Sequence, residues 1–300
     1  MSIDSPHLSV CANCGITENN NINKLKTCTA CKSVQYCGIK CQKEHRKIHK
    51  DFCKQRAAEL RDEILFRQPE GTHYGDCPIC CLPIPLDNVR GLQTCCGKYI
   101  CAGCINANLD RELSEKIRPR CPFCRKPVPY DEAAANKYLL DRAAVNDPVA
   151  LSQLGKQSHE AGKYDLAFEY CTKAAALNDI LGHYNLALLY RFGHGVKKDE
   201  KLENFHHEEA AIRGHPNARF QLGMYEVKKK FRIDRAVKHW KIAAQLGDDN
   251  SIEALKNVYK RGHVSKEDLA VALRGHQAAL DATKSEQRED AKGKILKKLK

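Results

Sequence analysis

Apolar residues recur at helical spacing through the second half of the chain, from about Asn146 onward, where Ala, Leu and Lys are abundant. Three features return there every 32 to 36 residues: a pair of alanines, an aspartate, and a leucine followed by a small or polar residue. The alanine pairs begin at Ala174, Ala210, Ala243 and Ala278, the aspartates are Asp165, Asp199, Asp234 and Asp268, and the leucines are Leu154, Leu186, Leu222 and Leu255. Because three series share one period, we predict about four repeat units over residues 148–282.

Each repeat unit is predicted to contain two helices. Asp199 and Asp234 lie where a second helix would begin, as N-caps or first-turn acids, and Gly214 and Gly247 suit helix ends. The alanine pairs fall late in that helix, where small side chains permit close packing. One unit cannot cover its own apolar face, so the units must stack into an all-α solenoid.

Other side chains of this segment are assigned to packing or to the surface. Trp240 lies at helical spacing from alanines and is a predicted core residue, and Cys171 is predicted to be a buried small residue. His206, His207 and His239 lack metal-ligand spacing, and we expect them at the surface.

The clearest unit reads Tyr-Asn-Leu-Ala-Leu-Leu-Tyr at 184–190, then Gly-His-Gly-Val at 193–196, then Asp199. This pattern resembles Sel1-like repeats, which are related to tetratricopeptide repeats. The resemblance implies a solenoid that binds protein segments along its concave face. A solenoid that only spaces other modules is the open alternative.

The front of the chain is dense in cysteine: sixteen of the seventeen lie between Cys11 and Cys124. No run of about 18 apolar residues exists, and the first ten residues carry no apolar signal region, so we expect no membrane span and no secretory signal. These features indicate an intracellular protein, cytoplasmic or nuclear, in which thiols stay reduced. Clustered cysteines there indicate metal binding rather than disulfides.

The formal charge of +13, from 50 basic and 37 acidic residues, would normally suggest a polyanion partner. If fifteen cysteines bind four Zn²⁺ ions, the thiolates add fifteen negative charges and the ions return eight positive ones. The net charge then falls to about +6. We expect no nucleic-acid partner, because the basic stretches at 228–230 and in the tail contain no interleaved aromatic residues for base stacking.

The first cysteine ladder, residues 11–53, contains seven cysteines and one histidine in paired spacing. The pairs are Cys11-x2-Cys14, Cys28-x2-Cys31, Cys37-x3-Cys41 and His49-x3-Cys53. A Cys-x2-Cys loop places both sulfurs on one metal, and an i, i+4 pair offers two ligands from one helix face. Two i, i+4 pairs in succession fit a short helical hairpin.

This ladder, with the strings Val-Gln-Tyr-Cys at 34–37 and Cys-Gln-Lys-Glu-His at 41–45, resembles a MYND zinc finger. The resemblance implies two interleaved zinc sites and a protein-binding module, often for Pro-rich peptides. The implied ligand sets are Cys11, Cys14, Cys37 and Cys41 for one zinc, and Cys28, Cys31, His49 and Cys53 for the other. Many MYND fingers carry a Trp where this chain has Arg46, which argues against the usual peptide mode. No SET-type methyltransferase motif follows.

A second ladder, residues 77–125, resembles a RING finger with cross-braced zinc sites. Its pairs are Cys77-x2-Cys80, Cys101-x2-Cys104 and Cys121-x2-Cys124, with a Cys95-Cys96 doublet between the first two. The resemblance implies one zinc on Cys77, Cys80, Cys101 and Cys104. The other zinc would take Cys121, Cys124 and two ligands from the middle segment.

The middle segment departs from the RING pattern. A RING usually has Cys-x-His there, but Lys98 stands in the histidine position and cannot bind zinc while charged. Cys95 and Cys96 together can supply both ligands. In the open alternative, only one member of the doublet binds this zinc. The fourth ligand is then Cys81 or another group, or it is missing.

Three residues match RING positions that contact a ubiquitin-conjugating enzyme (E2) or ubiquitin. Ile79 and Pro122 match the two apolar contacts, and Arg125 matches the linchpin that hydrogen-bonds both partners. The resemblance implies a ligase that acts by positioning a thioester, with no catalytic residue of its own. The alternative is that Ile79 and Pro122 only pack the zinc loops and that Arg125 is a solvated surface residue.

The predicted fold class is small zinc-stabilised α+β modules followed by an all-α helical repeat solenoid. A helical linker, a second linker and a basic tail complete the chain at residues 54–76, 126–147 and 283–300. Two functions are carried forward: a RING-type E3 ubiquitin ligase that recruits substrates through its repeats and MYND finger, and a non-enzymatic zinc-dependent scaffold. No serine-histidine-aspartate set, phosphate loop or paired-carboxylate motif stands out.

Overall fold

The computed structural model describes residues 10–18, 24–86 and 91–298. The segment inspected for a secretory signal, apart from its tenth residue, and the last two residues of the basic tail lie outside this range. The chain divides into two compact units, Met1–Arg67 and Gln68–Lys300. Among the described helices, none combines the length and apolar character needed to cross a membrane.

The first unit is a small fold with little apolar interior. Strand β1, Lys26–Thr27, pairs antiparallel with β2, Gln35–Tyr36, and helix α1 follows at Ile39–Leu65. Three of the five fully buried residues in its core cluster are cysteines: Cys11, Cys28 and Cys31, with Leu25 and Tyr36. Such a core is too small to hold the fold without metal.

Helix α1 differs from the predicted hairpin. It runs unbroken for 27 residues, so Cys41, His49 and Cys53 lie on one continuous helix. The segment contains no glycine or proline that would turn the chain between the two ligand pairs. Its second half is the helix predicted for the linker that begins at residue 54, so finger and linker share one helix.

The second unit begins with looped chain and short β-bridges, at Asp76↔Pro83, Leu92↔Tyr99 and Arg120↔Pro127. Among the described residues there are twelve helices, eleven of them in this unit. They are α2 Ala102–Ser114, α3 Glu132–Ala143, α4 Pro148–Glu160, α5 Tyr164–Ala176, α6 Ile180–Phe192, α7 Glu200–Ile212, α8 Pro216–Lys230, α9 Ile233–Gln245, α10 Asp249–Lys260, α11 Lys266–Ala282 and α12 Glu286–Lys298. The observed architecture confirms the predicted fold class.

Helices α4 to α11 form four antiparallel pairs, and the repeated residues occupy equivalent places in them. Asp199 caps α7, where its carboxylate accepts from the N–H groups of Lys201 and Leu202, and Asp234 lies in the first turn of α9. Gly214 and Gly247 follow α7 and α9 with φ of +84° and +89°, a backbone region that favours glycine.

In two of the four pairs, the residue after the series leucine is a glycine that lies directly against the second helix. A Cβ added at Gly155 would collide with Cys171, and one added at Gly223 would collide with the Trp240 ring. Both partners are buried, Cys171 at 1% exposure and Trp240 at 3%, so the packing roles predicted for them are confirmed. Glycine in the first helix therefore makes room for a side chain of the second.

The surface position predicted for the histidines is wrong. His207 and His239 are each 1% exposed, and His206 is half-buried, with its Nδ1 2.9 Å from that of His183. Burial lowers the pKa of His207 to about 3, so this imidazole is neutral and packs as an apolar ring. Helical spacing alone does not separate a buried neutral histidine from an exposed one.

Candidate metal centres

Two groups of ligand atoms lie in the first unit. Cys11, Cys14, Cys37 and Cys41 form one group, and Cys28, Cys31, His49 and Cys53 form the other. Within each group the ligand atoms all lie within 4.8 Å of one another. The sulfur of Cys37 is 3.6 Å from that of Cys14 and 3.5 Å from that of Cys41. Each group joins a loop to helix α1.

Helix α1 presents its imidazole ligand with support from neighbouring rings. His49 Nε2 lies 3.3 Å from the Cys31 sulfur, and Cys53 follows one turn later, 3.7 Å from the Cys28 sulfur. The His49 ring stacks on His45, whose Nδ1 is 3.0 Å from the hydroxyl of a buried tyrosine, Tyr36. These contacts fix the orientation of His49 toward the three sulfurs.

Two further groups lie in the second ladder, residues 77–125, which is called the RING-like module for that resemblance. Cys77, Cys80, Cys101 and Cys104 form one, and Cys95, Cys96, Cys121 and Cys124 form the other. The structure therefore brings both members of the doublet to the last pair, with 3.3 Å between the sulfurs of Cys95 and Cys124 and 3.9 Å between those of Cys96 and Cys121. Cys81 is exposed and belongs to none of these groups.

The distances fit tetrahedral zinc. Four sulfurs about 2.3 Å from a central zinc lie about 3.8 Å from one another. The sulfur pairs quoted above, with Cys80 and Cys101 at 3.8 Å, range from 3.3 to 3.9 Å. Disulfides, at about 2.0 Å, are excluded among these pairs. The donor set of fifteen thiols and one imidazole selects zinc, and the four groups are consistent with about four Zn²⁺ ions.

The electrostatics of the groups also call for a cation. Burial opposes ionisation of Cys11, but N–H groups of Cys14 and Cys37 outweigh it and lower the pKa of the Cys11 thiol to about 6. Hydrogen bonds to Cys41 and Cys14 raise the pKa of Cys37, in the same group, to about 12. Crowded thiols cannot all ionise on their own, and a divalent ion supplies the charge that allows it.

The loop that carries the doublet is held by a residue that the sequence did not single out. Arg142, on α3, donates from Nη1 to the carbonyl of Thr94 at 3.2 Å and pairs through Nη2 with Asp147 at 2.7 Å. Its guanidinium occupies the space that a Cβ at Gly97 would fill, and Gly97 has a φ of +71°. The helical part of the second unit thus supports the zinc loop directly.

The matched E2-contact positions lie on the zinc loops. Ile79 is 45% exposed and Pro122 is half-buried, next to Phe123, which is also 45% exposed. Arg125 donates from Nη2 to the buried carboxylate of Glu112 at 2.8 Å. Lys98, at the usual histidine position, holds its Nζ 5.7 Å from the centre of the Phe123 ring.

A cavity of about 500 Å³ opens where the first helices of successive repeats face the segment before Cys77. A stack of rings borders it: His73 lies 4.2 Å from His215, and His215 lies 4.1 Å from Tyr184. Amide side chains from three repeats, Asn185, Asn217 and Asn250, line it as well. Aromatic rings, amide groups and leucine side chains such as Leu188 therefore all line this cavity.

Comparison with known proteins addresses the front and the back of the chain separately. Histone-lysine N-methyltransferase ASHR1 of Arabidopsis thaliana is 56% identical over 32 residues, which are 11% of this chain and 7% of that protein. The Sel1 repeat protein of Oxalobacter formigenes has a TM-score of 0.45 and 20% identity, over 65% of this chain and 86% of its own. The c5321 protective antigen of uropathogenic Escherichia coli, described as having an SLR fold, has a TM-score of 0.40 and 22% identity, over 54% of this chain and 36% of its own.

The family assignment concerns the first ladder. The family model of the MYND finger matches residues 11–53, from the first ligand of the ladder, Cys11, to the last, Cys53. The matched span encloses both ligand groups of the first unit and the start of α1. Residues 11–53 are therefore a MYND finger.

Proposed function

We propose that this protein is a zinc-dependent interaction protein that acts as a RING-type E3 ubiquitin ligase, with substrates recruited by its MYND finger and repeat groove. MYND fingers and Sel1 repeats are protein-interaction modules, and four zinc sites organise the modules that precede the repeats. The observation that carries the ligase assignment is the exposed Ile79, which stands on the first zinc loop at the position of an E2 contact.

The RING-like module offers a surface suited to an E2. Ile79 and Phe123 lie on two different zinc loops, and each exposes 45% of its surface. A bound partner would remove this apolar surface from water. Arg125 uses two of its five donors within the described residues, on Glu112 and Asn108, and leaves about half its surface in solvent. The remaining donors point to a bridging role between E2 and ubiquitin.

Substrate recruitment rests on two other surfaces. The MYND helix α1 exposes Ile48 by 79% and Phe52 by 53%, one turn apart, and Arg46 is exposed where many MYND fingers carry Trp. We assign partner binding to this apolar pair rather than to an aromatic platform. The cavity of about 500 Å³ on the repeats is the second recruitment surface, and its amides suit a polypeptide backbone.

A zinc-dependent scaffold without ligase activity is the second candidate. The contact that favours it is the 2.8 Å bond from Arg125 to Glu112, because it gives Arg125 a structural task inside the module. Lys98 in place of the usual histidine favours it as well. Both candidates require an intracellular location, cytoplasmic or nuclear, where the thiols stay reduced.

The test is a ubiquitination assay with zinc-loaded full-length protein, E1, a panel of E2s and ubiquitin. Ligase function predicts chain formation that Ile79→Ala abolishes. Ile117→Ala is the matched control, since Ile117 is also exposed, at 37%, but stands outside the Cys-x2-Cys loops, four residues before Cys121. Absence of activity with every E2, at full zinc content, would favour the scaffold.

A further inference from the structure

The basic tail forms a helix, α12, whose Arg288 reaches the first zinc loop of the RING-like module. Its Nη2 donates to the sulfur of Cys80 at 3.3 Å and to the carbonyl of Leu82 at 3.0 Å. Its Nη1 donates to the carbonyls of Pro83 and Thr283, at 2.6 and 2.7 Å. One guanidinium therefore binds the sulfur of a zinc ligand, the backbone that follows this ligand and the backbone just before α12.

The rest of α12 is fitted to the same module. A Cβ at Gly103, on α2, would approach Arg288 Cγ to 3.0 Å and the Gln287 carbonyl to 3.1 Å, so glycine permits this helix crossing. Lys294 pairs with Asp110 of α2 at 2.5 Å. Arg288 itself is 7% exposed. The contact between α12 and the RING-like module is therefore a packed interface.

The charge of the metal group explains what such an arginine does. A zinc ion with four thiolates carries a net charge of about −2, which is costly to bury without a positive partner. An N–H donor to a ligand sulfur stabilises the thiolate and fixes its direction. Arginine suits the task better than lysine, since its planar fork reaches four acceptors that lie in different directions.

We propose that Arg288 is a positioning residue of the zinc site formed by Cys77, Cys80, Cys101 and Cys104, so that the C-terminal helix determines how firmly this one zinc is held. The other three zinc groups have no described contact with α12. Retention of this zinc by Arg288 does not depend on whether the RING-like module is a ligase.

The test uses the zinc-loaded full chain with excess chelator, while a chromogenic indicator reports zinc release and alkylation mapping reports which cysteines become reactive. Loss of such a supporting donor typically weakens metal binding about 10- to 100-fold, so Arg288→Gln should release one zinc of the four faster by a factor of that order. Cys77, Cys80, Cys101 and Cys104 should be the residues that gain reactivity. Arg288→Lys, which keeps the charge but not the fork, should fall between Arg288→Gln and the natural protein.

Lys292→Gln is the matched control, because it removes the same charge from an exposed position of the same helix. In the Co²⁺-substituted protein, Arg288→Gln should also move the thiolate-to-cobalt absorption of one site, and Lys292→Gln should leave it in place. If Arg288→Gln lowers helicity, the comparison rests on Arg288→Lys. Unchanged release, equal acceleration of all four ions, or exposure of another cysteine group would each overturn the proposal.

Discussion

Arg125→Ala should destabilise the RING-like module, because it removes the nearer of two arginines from a buried carboxylate. Arg125 Nη2 lies 2.8 Å from Glu112 Oε1, and Arg111 Nη2 lies 3.7 Å from it. The Glu112 side chain is 0% exposed and accepts from the Arg120 N–H at 2.8 Å, from Asn108 at 3.0 Å and from Arg125 at 2.8 Å. The Arg120 N–H, followed by the charge of Arg125, holds the pKa of Glu112 below its ordinary value despite burial.

The size of the effect depends on the hydrogen bonds that Glu112 retains in the variant. A hydrogen bond to a charged group contributes about 1.5–3 kcal/mol. Arg125 is 47% exposed, so solvent screens the pair, and the two remaining donors still satisfy part of the carboxylate. We therefore expect Arg125→Ala to lower the free energy of opening this module by about 1–2 kcal/mol.

Hydrogen exchange followed by mass spectrometry measures this opening locally. Peptides that cover residues 105–128 should exchange about 5 to 30 times faster in Arg125→Ala than in the natural protein. Arg118→Ala is the control, since Arg118 is exposed in the same module. Equal exchange in the two variants would refute the structural role assigned to Arg125. The result also matters for ubiquitination assays, in which Arg125→Lys is then the safer variant.

Three further predictions concern the repeats. Gly223→Ala should cost about 1–3 kcal/mol, because the new Cβ collides with Trp240, and urea unfolding followed by the fluorescence of this single tryptophan measures it. Asp199→Ala should cost about 1 kcal/mol in the same assay through loss of the α7 cap. His207 is neutral when folded, with a pKa of about 3, and binds protons below about 6.5 when unfolded. The contribution of His207 to stability should therefore be level above pH 7 and should fall by up to about 1.4 kcal/mol per pH unit between pH 6 and 5.

Matched variants separate these effects from general destabilisation. Gly293→Ala adds a methyl group in open space and should not destabilise the chain. Asp165→Ala removes a first-turn acid that caps nothing, and it should cost less than Asp199→Ala. His207→Gln should reduce the loss of stability at low pH, whereas exposed His263→Gln should not. A reversed order in any of these comparisons contradicts the corresponding assignment.

Ligand spacing predicts metal pairs well because a zinc site imposes short, regular intervals on the chain. Spacing does not say whether the chain turns between pairs, so the predicted hairpin was wrong: Cys41 and His49 lie on one continuous helix. The repeat period predicted helix pairs for a related reason. Two units place a glycine opposite a larger side chain, as Gly223 lies opposite Trp240.

The contacts that sequence reasoning missed join residues far apart in the chain. Arg288 reaches Cys80 across 208 positions, and Arg142 reaches Thr94 across 48. No local spacing in the sequence indicates such a pairing, because a buried arginine in a basic tail has the same sequence pattern as a solvent-exposed one. Burial of His207 was missed because a neutral imidazole depends on its neighbours in the next helices and not on periodicity.

The central claim is that zinc bound by sulfur organises the chain before the repeats. Native mass spectrometry of the intact chain, purified without chelator or added metal, tests it most directly. The account predicts four Zn²⁺ ions per chain and all seventeen cysteines free of disulfides. A chain that carries only two zinc ions, or none, would contradict it. A mass showing that thiol hydrogens have been lost through disulfide formation would contradict it as well.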